Sequence, residues 1–323
     1  MTTPLLQVKG LTTQFRTDRG TVTAVDDVSF DVKAGETLAI VGESGSGKSV
    51  TALSILGLIP DPPGRIAHGQ ILFEGEDLVR MSKKEMRSVR GNRIAMIFQE
   101  PMSSLNPALT VGMQIAEPIN LHRKTPWKQA LDSARTLLGR VQVPDPASRV
   151  DAYPHQFSGG MRQRAMISMA MACEPKLIIA DEPTTALDVT VQAQVLDLLK
   201  DLTRDTGTAL ILITHDLGVV ARYADRVAVM YGGRIVETAS ARDLYARPQH
   251  PYTRGLMHSV PRIDSDTTQP LIPIPGQPPD LSALPKGCPF APRCAHVMPR
   301  CEQSRPPLTA VTTHHLKACF HDA

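Results

Sequence analysis

Four short segments of this chain carry residue types that act on phosphate and water. They are GESGSGKS (Gly42 to Ser49), FSGGM (Phe157 to Met161), LIIADEP (Leu177 to Pro183) and THD (Thr214 to Asp216). The first follows the G-x-x-x-x-G-K-[ST] pattern of a phosphate-binding loop. Gly42, Gly45 and Gly47 let the backbone turn sharply, and with Ser44 and Ser46 between them they bring several N–H groups toward one anion. Free N–H groups and the dipole of a following helix favour negative charge there. Lys48 then reaches the β- and γ-phosphates, the Ser49 hydroxyl joins Mg²⁺, and Val50 closes the contact stretch. A Gly-rich turn without a ligand is the bland alternative. Against it, LAIVG before the loop reads as a buried strand, and KSVTALSILGL after it has helical spacing.

The acidic pair supplies the rest of a hydrolytic site. LIIA reads as a central strand with Asp181 at its carboxyl end, where ligands of open α/β sheets bind. Asp181 suits Mg²⁺ through a water, and Glu182 is a candidate to orient or activate the attacking water. ALILITHD is another apolar strand, and it ends in His215. A solvated strand end would explain any one of these residues alone. Their occurrence together with the phosphate loop points to an ATP-hydrolysing module.

At these residues the chain resembles the nucleotide-binding subunits of ATP-binding-cassette (ABC) transporters, over nearly its whole length. The resemblance implies an α/β P-loop nucleotide-binding domain, with a RecA-like core and a helical subdomain. It makes Gln99, in IFQEP, the Q-loop glutamine, acting in catalysis and on Mg²⁺. His215 becomes the switch histidine, and Phe15, in LTTQF, the aromatic that stacks on adenine. The signature segment, usually LSGGQ, departs from the pattern at Phe157 and Met161 but keeps Ser158, Gly159 and Gly160. The D-loop is Ala186-Leu187-Asp188. In the family Ser158, Gly159, Gly160 and Asp188 face the nucleotide held by the opposite subunit, so one loop and one signature make half of a pair.

Composition fits that expectation. The chain has 323 residues and a formal charge of +3, which gives no sign of a nucleic-acid surface. MTTPLLQVKG lacks a charged-then-apolar signal pattern, and no apolar run approaches the roughly 18 residues that span a bilayer. Residues from about 99 to 170 have helical periodicity, and VAVMYGGRIVE reads as a hairpin. Seven prolines between Pro261 and Pro285 predict an extended, semi-rigid segment. The expected division is a nucleotide-binding domain over 1–260, with its helical subdomain at about 99–170, and a C-terminal region over 261–323.

The last 36 residues hold Cys288, Cys294, Cys301 and Cys319, four of the five cysteines; Cys173 reads as a small buried residue. Disulfides are disfavoured in a reducing cytosol, and the tight C-x₂₋₄-C pairs of structural zinc are absent. Four thiolates suit a 4Fe–4S cluster, zinc is an alternative, and free or disulfide-linked thiols are the third reading. His296, His314, His315 and His321 lie nearby, by default on the surface, with replacement of one thiolate ligand by a histidine as the alternative. Any such knot is expected to be structural, far in sequence from the ATP motifs.

HPYTRGL (His250 to Leu256) followed by this pattern resembles the C-terminal region of oligopeptide, dipeptide and nickel importer ATPases, and most of all the D-type subunit of dipeptide permeases. That resemblance implies an ATPase powering peptide import from the cytoplasmic face of the inner membrane. Its partners would be a second ABC ATPase subunit, forming a heterodimer, and two transmembrane permease subunits. An extracytoplasmic peptide-binding protein would take part indirectly, with no nucleic acid involved. A nickel or glutathione importer, or a soluble ABC ATPase acting on ribosomes or DNA, are the alternatives.

Overall fold

The computed structural model describes residues 3–18, 20–185, 187–259 and 273–322. Pro261, Pro270, Ala186 and the expected boundary at 260 and 261 lie outside them. In chain order the strands are β1 (Leu6–Thr17), β2 (Gly20–Val32), β3 (Thr37–Val41), β4 (Gly64–Phe73), β5 (Glu76–Asp77) and β6 (Ile94–Ile97). They continue with β7 (Leu177–Asp181), β8 (Ala209–Thr214), β9 (Arg226–Tyr231), β10 (Arg234–Ser240), β11 (Thr309–Thr312) and β12 (His315–Lys317). The chain forms two compact units: one is Met1–Val32, Thr37–Val79 and Ile213–Ala323, the other Lys33–Glu36 and Arg80–Leu212.

The first unit carries an antiparallel sheet in the order β2-β1-β4-β5 and a run of strands in the order β11-β12-β10-β9-β3. All five residues of β3, TLAIV, are buried, as a strand covered on both faces requires. It pairs in parallel with β9, Leu38 opposite Arg226 and Val41 opposite Val229. β9 turns into β10 through Gly232 and Gly233, at φ 54° and 79°, left-handed values that suit a tight hairpin turn. This is the hairpin read from VAVMYGGRIVE.

Residues near the C-terminus join this framework. β12 pairs antiparallel with β10, Glu237 opposite Lys317 and Thr238 opposite Leu316. One core cluster combines Ala39 and Val41 of β3 with Tyr231, Tyr252 and Phe290. Burying a side chain such as Phe290 contributes about 1.5–3 kcal/mol, so the cysteine-bearing stretch shares the apolar core under the phosphate-loop strand.

The second unit orders its strands β8-β7-β6, with β6 parallel to β7, Ile94 opposite Leu177 and Ile97 opposite Ala180. Its longer helices are Val111–Arg123, Trp127–Arg140, Gly159–Met171 and Val189–Thr206. Trp127–Arg140 buries Ala130, Ala134 and Leu138, a repeat of four that lines one helix face.

Candidate nucleotide site

The phosphate loop is closed by its own backbone chemistry. Gly47 caps the helix Lys48–Ile55 in the left-handed region, at φ 101°, where a side chain would be strained. A Cβ there would also stand 2.5 Å from Ala24 O, so Gly47 is fixed twice over. Lys48 is buried, and its Nζ donates to Gly42 O at 2.8 Å and Glu43 O at 3.0 Å. The ammonium is thereby held inside the ring of the loop. Ser46 N donates to Glu43 O, and Gly233 N donates to Ser46 O. Among the described residues the buried Ser46 hydroxyl has no hydrogen-bond partner, and it is a polar group of the kind that a bound phosphate oxygen would satisfy. Ser44 and Gly45 are exposed; Ser49 and Val50 are half-buried. A buried ammonium, a helix N-terminus and an orphaned hydroxyl in one loop fit a phosphate chain.

The same unit holds Phe15 and His215. Phe15 lies in β1 opposite Val22 and Gly64, and a Cβ on Gly64 would be 2.7 Å from its Cε1. The ring therefore lies along a glycine that leaves it room. His215 is exposed directly after β8. Asp216 behind it caps the next helix, accepting from Gly218 N at 2.7 Å and Val219 N at 3.3 Å.

The second unit holds the acidic pair. Asp181 is buried as the last residue of β7. Glu182 follows at φ 46°, a left-handed conformation uncommon for a residue with a side chain. Its Oε2 accepts from Gln99 Nε2 at 3.2 Å and from Thr185 Oγ1 at 2.9 Å. The structure thus brings Gln99 and Glu182 together through the amide nitrogen of Gln99.

The signature and D-loop residues each begin a helix. Ser158 caps Gly159–Met171, its Oγ accepting from Met161 N at 3.3 Å. Asp188 caps Val189–Thr206, accepting from Val191 N at 3.0 Å. Ser158 and Gly159 are exposed, whereas Phe157, one departure from the usual signature, is buried. A Cβ on Gly160 would lie 3.0 Å from Val191 Cγ1, so the two helix starts pack closely. Exposed N-terminal amides on a capped helix are suited to an external anion.

Comparison with known proteins identifies the arrangement. The model of the ABC transporter family matches residues 25–185, and that of the oligopeptide/dipeptide transporter C-terminal region matches residues 236–301. The dipeptide transport ATP-binding protein DppD of Bacillus subtilis is 54% identical over 98% of this chain and 94% of its own. The oligopeptide transport ATP-binding protein OppD of Salmonella typhimurium is 51% identical over 98% and 93%. This chain belongs to the ABC transporter ATP-binding subunits. Among solved structures it is similar to the dimeric post-hydrolysis state of the ATP-binding cassette MJ0796 bound to ADP and Pi. The TM-score is 0.66, with 26% identity over 73% of this chain and 99% of that one.

Three residues of this ABC subunit escaped the sequence reading. Thr185 steadies Glu182, as described, and its signal was its place in the ADEPTT run. Tyr252, in the HPYT segment, accepts from Glu43 N at 2.8 Å through its hydroxyl. Arg293, within CPFAPRC, meets the Glu43 carboxylate with two nitrogens, at 2.6 and 3.0 Å. The HPYT segment is thus more than a turn before a helix, although His250 does cap the helix Pro251–His258 through Tyr252 N at 3.1 Å.

The ABC subunit's tail thiols share one neighbourhood without disulfides: Cys288, Cys294, Cys301 and Cys319 are all free. Burial pushes the Cys288 thiol up to about 11, with further push from Cys301 and Cys319. Burial likewise raises Cys294 and Cys319. Among the described residues no group of three or more His, Cys, Asp or Glu is placed to hold a metal ion. Cys288 and Cys294 pack instead against the core around Tyr231 and Phe290. The histidines divide. His296 and His321 stack at 4.5 Å. His315, expected on the surface, is buried and bonds Glu237 Oε1 at 2.7 Å. That carboxylate also accepts from the amides of Gln249 and His250, so His315 serves the fold.

Proposed function

We propose that this ATPase subunit binds MgATP on the loop Gly42–Val50 and uses its hydrolysis to drive import of dipeptides or oligopeptides. The observation that carries the reading is the phosphate loop itself: the Lys48 ammonium on the Gly42 and Glu43 carbonyls, beside the unpartnered Ser46 hydroxyl. The peptide cargo is supported by the names of the dipeptide and oligopeptide relatives and by the matching C-terminal region.

The proposed roles are those that membership of the ABC family implies for these positions. Lys48 and the loop amides bind the phosphates, and Phe15 stacks on adenine. Ser49 and the Gln99 carbonyl would hold Mg²⁺, with Asp181 acting through water. The metal when bound neutralises charge on the phosphate oxygens and fixes their orientation. Glu182 positions and deprotonates the attacking water, and His215 contacts the γ-phosphate. Ser158, Gly159, Gly160 and Asp188 serve the nucleotide of a partner ATPase subunit. Loss of γ-phosphate contacts on hydrolysis would then release the pair, a switch of the order-changing type.

The proposed assembly is a heterodimer of ATPase subunits on two transmembrane permease subunits, fed by an extracytoplasmic binding protein. No helix among the described residues is long and apolar enough to cross a membrane; in the proposed assembly the subunit docks at the cytoplasmic face through its permease partners. The proposed division remains a nucleotide-binding domain over 1–260, with a helical subdomain near 99–170, and a C-terminal region beyond. For the four tail thiols we propose a 4Fe–4S cluster, with Zn²⁺ as the alternative. The four free thiols of this stretch would be its donors, although among the described residues they are not arranged as a metal site; iron, sulfide and zinc analysis after anaerobic purification decides it. The functional test is co-purification. Permease subunits and peptide-stimulated ATPase in liposomes are expected; recovery with ribosomes or DNA would overturn the transport role.

A further inference from the structure

We infer that Arg293 is a positioning residue for the phosphate loop, so that the folding of the Cys288–Cys301 stretch sets the affinity for nucleotide. The inference rests on the nucleotide reading of Gly42–Val50. Every polar group of Glu43, the second residue of that loop, is held. Its amide donates to the Tyr252 hydroxyl. Its carbonyl accepts from Lys48 Nζ and Ser46 N. Its carboxylate takes the two nitrogens of Arg293.

Arg293 is a built part, with a side chain only 5% exposed. Beyond Glu43 it donates to Pro275 O at 2.8 Å, to the Tyr231 hydroxyl at 3.3 Å and to Ile274 O at 3.4 Å. Its guanidinium carbon stands 5.8 Å from the centre of the Tyr231 ring and 6.0 Å from that of Phe290. A planar fork with five donors is used in full here, which a lysine cannot reproduce. The residue ends a single helical turn, Ala291–Arg293, set between Cys288 and Cys294. That turn is framed by Cys288 N donating to Cys301 O and Cys294 N to Ala291 O. The consequence is electrostatic as well as mechanical. Glu43 puts a carboxylate into a loop that must receive a polyanion, and Arg293 neutralises it while fixing the carbonyl that faces Lys48.

The test uses the full chain and a fluorescent ATP analogue, with KM and kcat measured on the assembled transporter. Arg293→Gln is expected to weaken the analogue roughly 10-fold and to raise KM in step, with kcat at saturation within about 2-fold. Arg293→Lys is expected to recover part of the loss. Removing the carboxylate as well should relieve the repulsion, so the Glu43→Gln/Arg293→Gln pair should bind within about 3-fold of Glu43→Gln alone. Cys294→Ser should weaken nucleotide in the native background and have little effect in that double variant. An Arg293→Gln affinity within about 2-fold of the native chain would overturn the inference, as would losses that simply multiply in the pair. So would a Cys294→Ser effect of equal size in both backgrounds. These results leave the nucleotide reading standing. Absence of nucleotide binding by the native chain, or its persistence in Lys48→Ala, would overturn that reading and the inference with it.

Discussion

Gln99 Nε2 donates to Glu182 Oε2 at 3.2 Å, across 83 positions of sequence. With Thr185 Oγ1 donating to the same oxygen, the glutamate is aimed by two side-chain donors. Its backbone is left-handed, at φ 46°, uncommon for a residue with a side chain. Strain at such a residue persists only where surrounding structure enforces it.

Glu182→Gln therefore keeps the shape and removes the base. On the assembled transporter we expect nucleotide binding to be retained and kcat to fall by roughly 10²–10⁴, with the closed dimer trapped. Thr185→Ala should lower kcat far less, because Gln99 remains. Nucleotide retention and steady-state ATPase rates are the readouts. Near-normal turnover by Glu182→Gln would remove Glu182 from this role.

Ser158 caps a helix in its own chain and is proposed to serve a nucleotide in another, and a substitution can separate the two. Asp is as good an N-cap as Ser, so Ser158→Asp should leave thermal unfolding of the isolated chain within about 0.5 kcal/mol of native. The added negative charge should abolish turnover at the site completed by this signature. Ser158→Ala should do the reverse in part, losing about 1 kcal/mol of stability. Full activity in Ser158→Asp would show that Ser158 does no more than cap.

His250 gives the fold an acid limit. Burial lowers its imidazole to about 3, from an ordinary value of 6.5. Between those values the unfolded chain binds a proton that the folded chain excludes. Stability is thus complete above pH 6.5 and declines as pH falls toward 3, by up to about 1.4 kcal/mol per pH unit from this residue. His250→Asn keeps an acceptor for Tyr252 N and removes the titration. Denaturant unfolding from pH 4.5 to 7 should show a shallower slope in that variant; an unchanged slope would assign the acid sensitivity elsewhere.

What the sequence made legible was local. Gly47 declared itself because the loop pattern requires a residue without a side chain where the helix begins. The Gly232-Gly233 turn declared the β9–β10 hairpin for a similar reason. Asp181 followed from its position at the end of an apolar run. The Arg293–Glu43 pair had no such signal: the residues are 250 positions apart, and nothing in CPFAPRC says which carboxylate its arginine will meet. Likewise His315 looked like one of several tail histidines until β12 carried it to the buried Glu237. The tail's prolines predicted an extended, semi-rigid segment with no sign of a place in the core. Phe290 instead enters the core under β3, which periodicity could not reveal in a stretch without regular structure.

The thiols offer a measurement that separates burial from metal binding. In metal-free chain at pH 8, a Cys288 thiol raised to about 11 has a thiolate fraction roughly 100-fold below that of an ordinary cysteine, and the thiolate is the species that reacts. Iodoacetamide should therefore label Cys288 about 100-fold more slowly than a small-molecule thiol. Cys294 and Cys319, which are raised less far, should react sooner. Raising the pH to 10 should speed Cys288 steeply. If these residues are ligands, protein purified anaerobically with its metal should protect all four sulfurs together, and a chelator should return the graded order. Free-thiol rates at Cys288 in folded, metal-free chain would show that its burial does not persist in solution. Graded labelling that is identical with and without bound metal would exclude the four cysteines as its ligands.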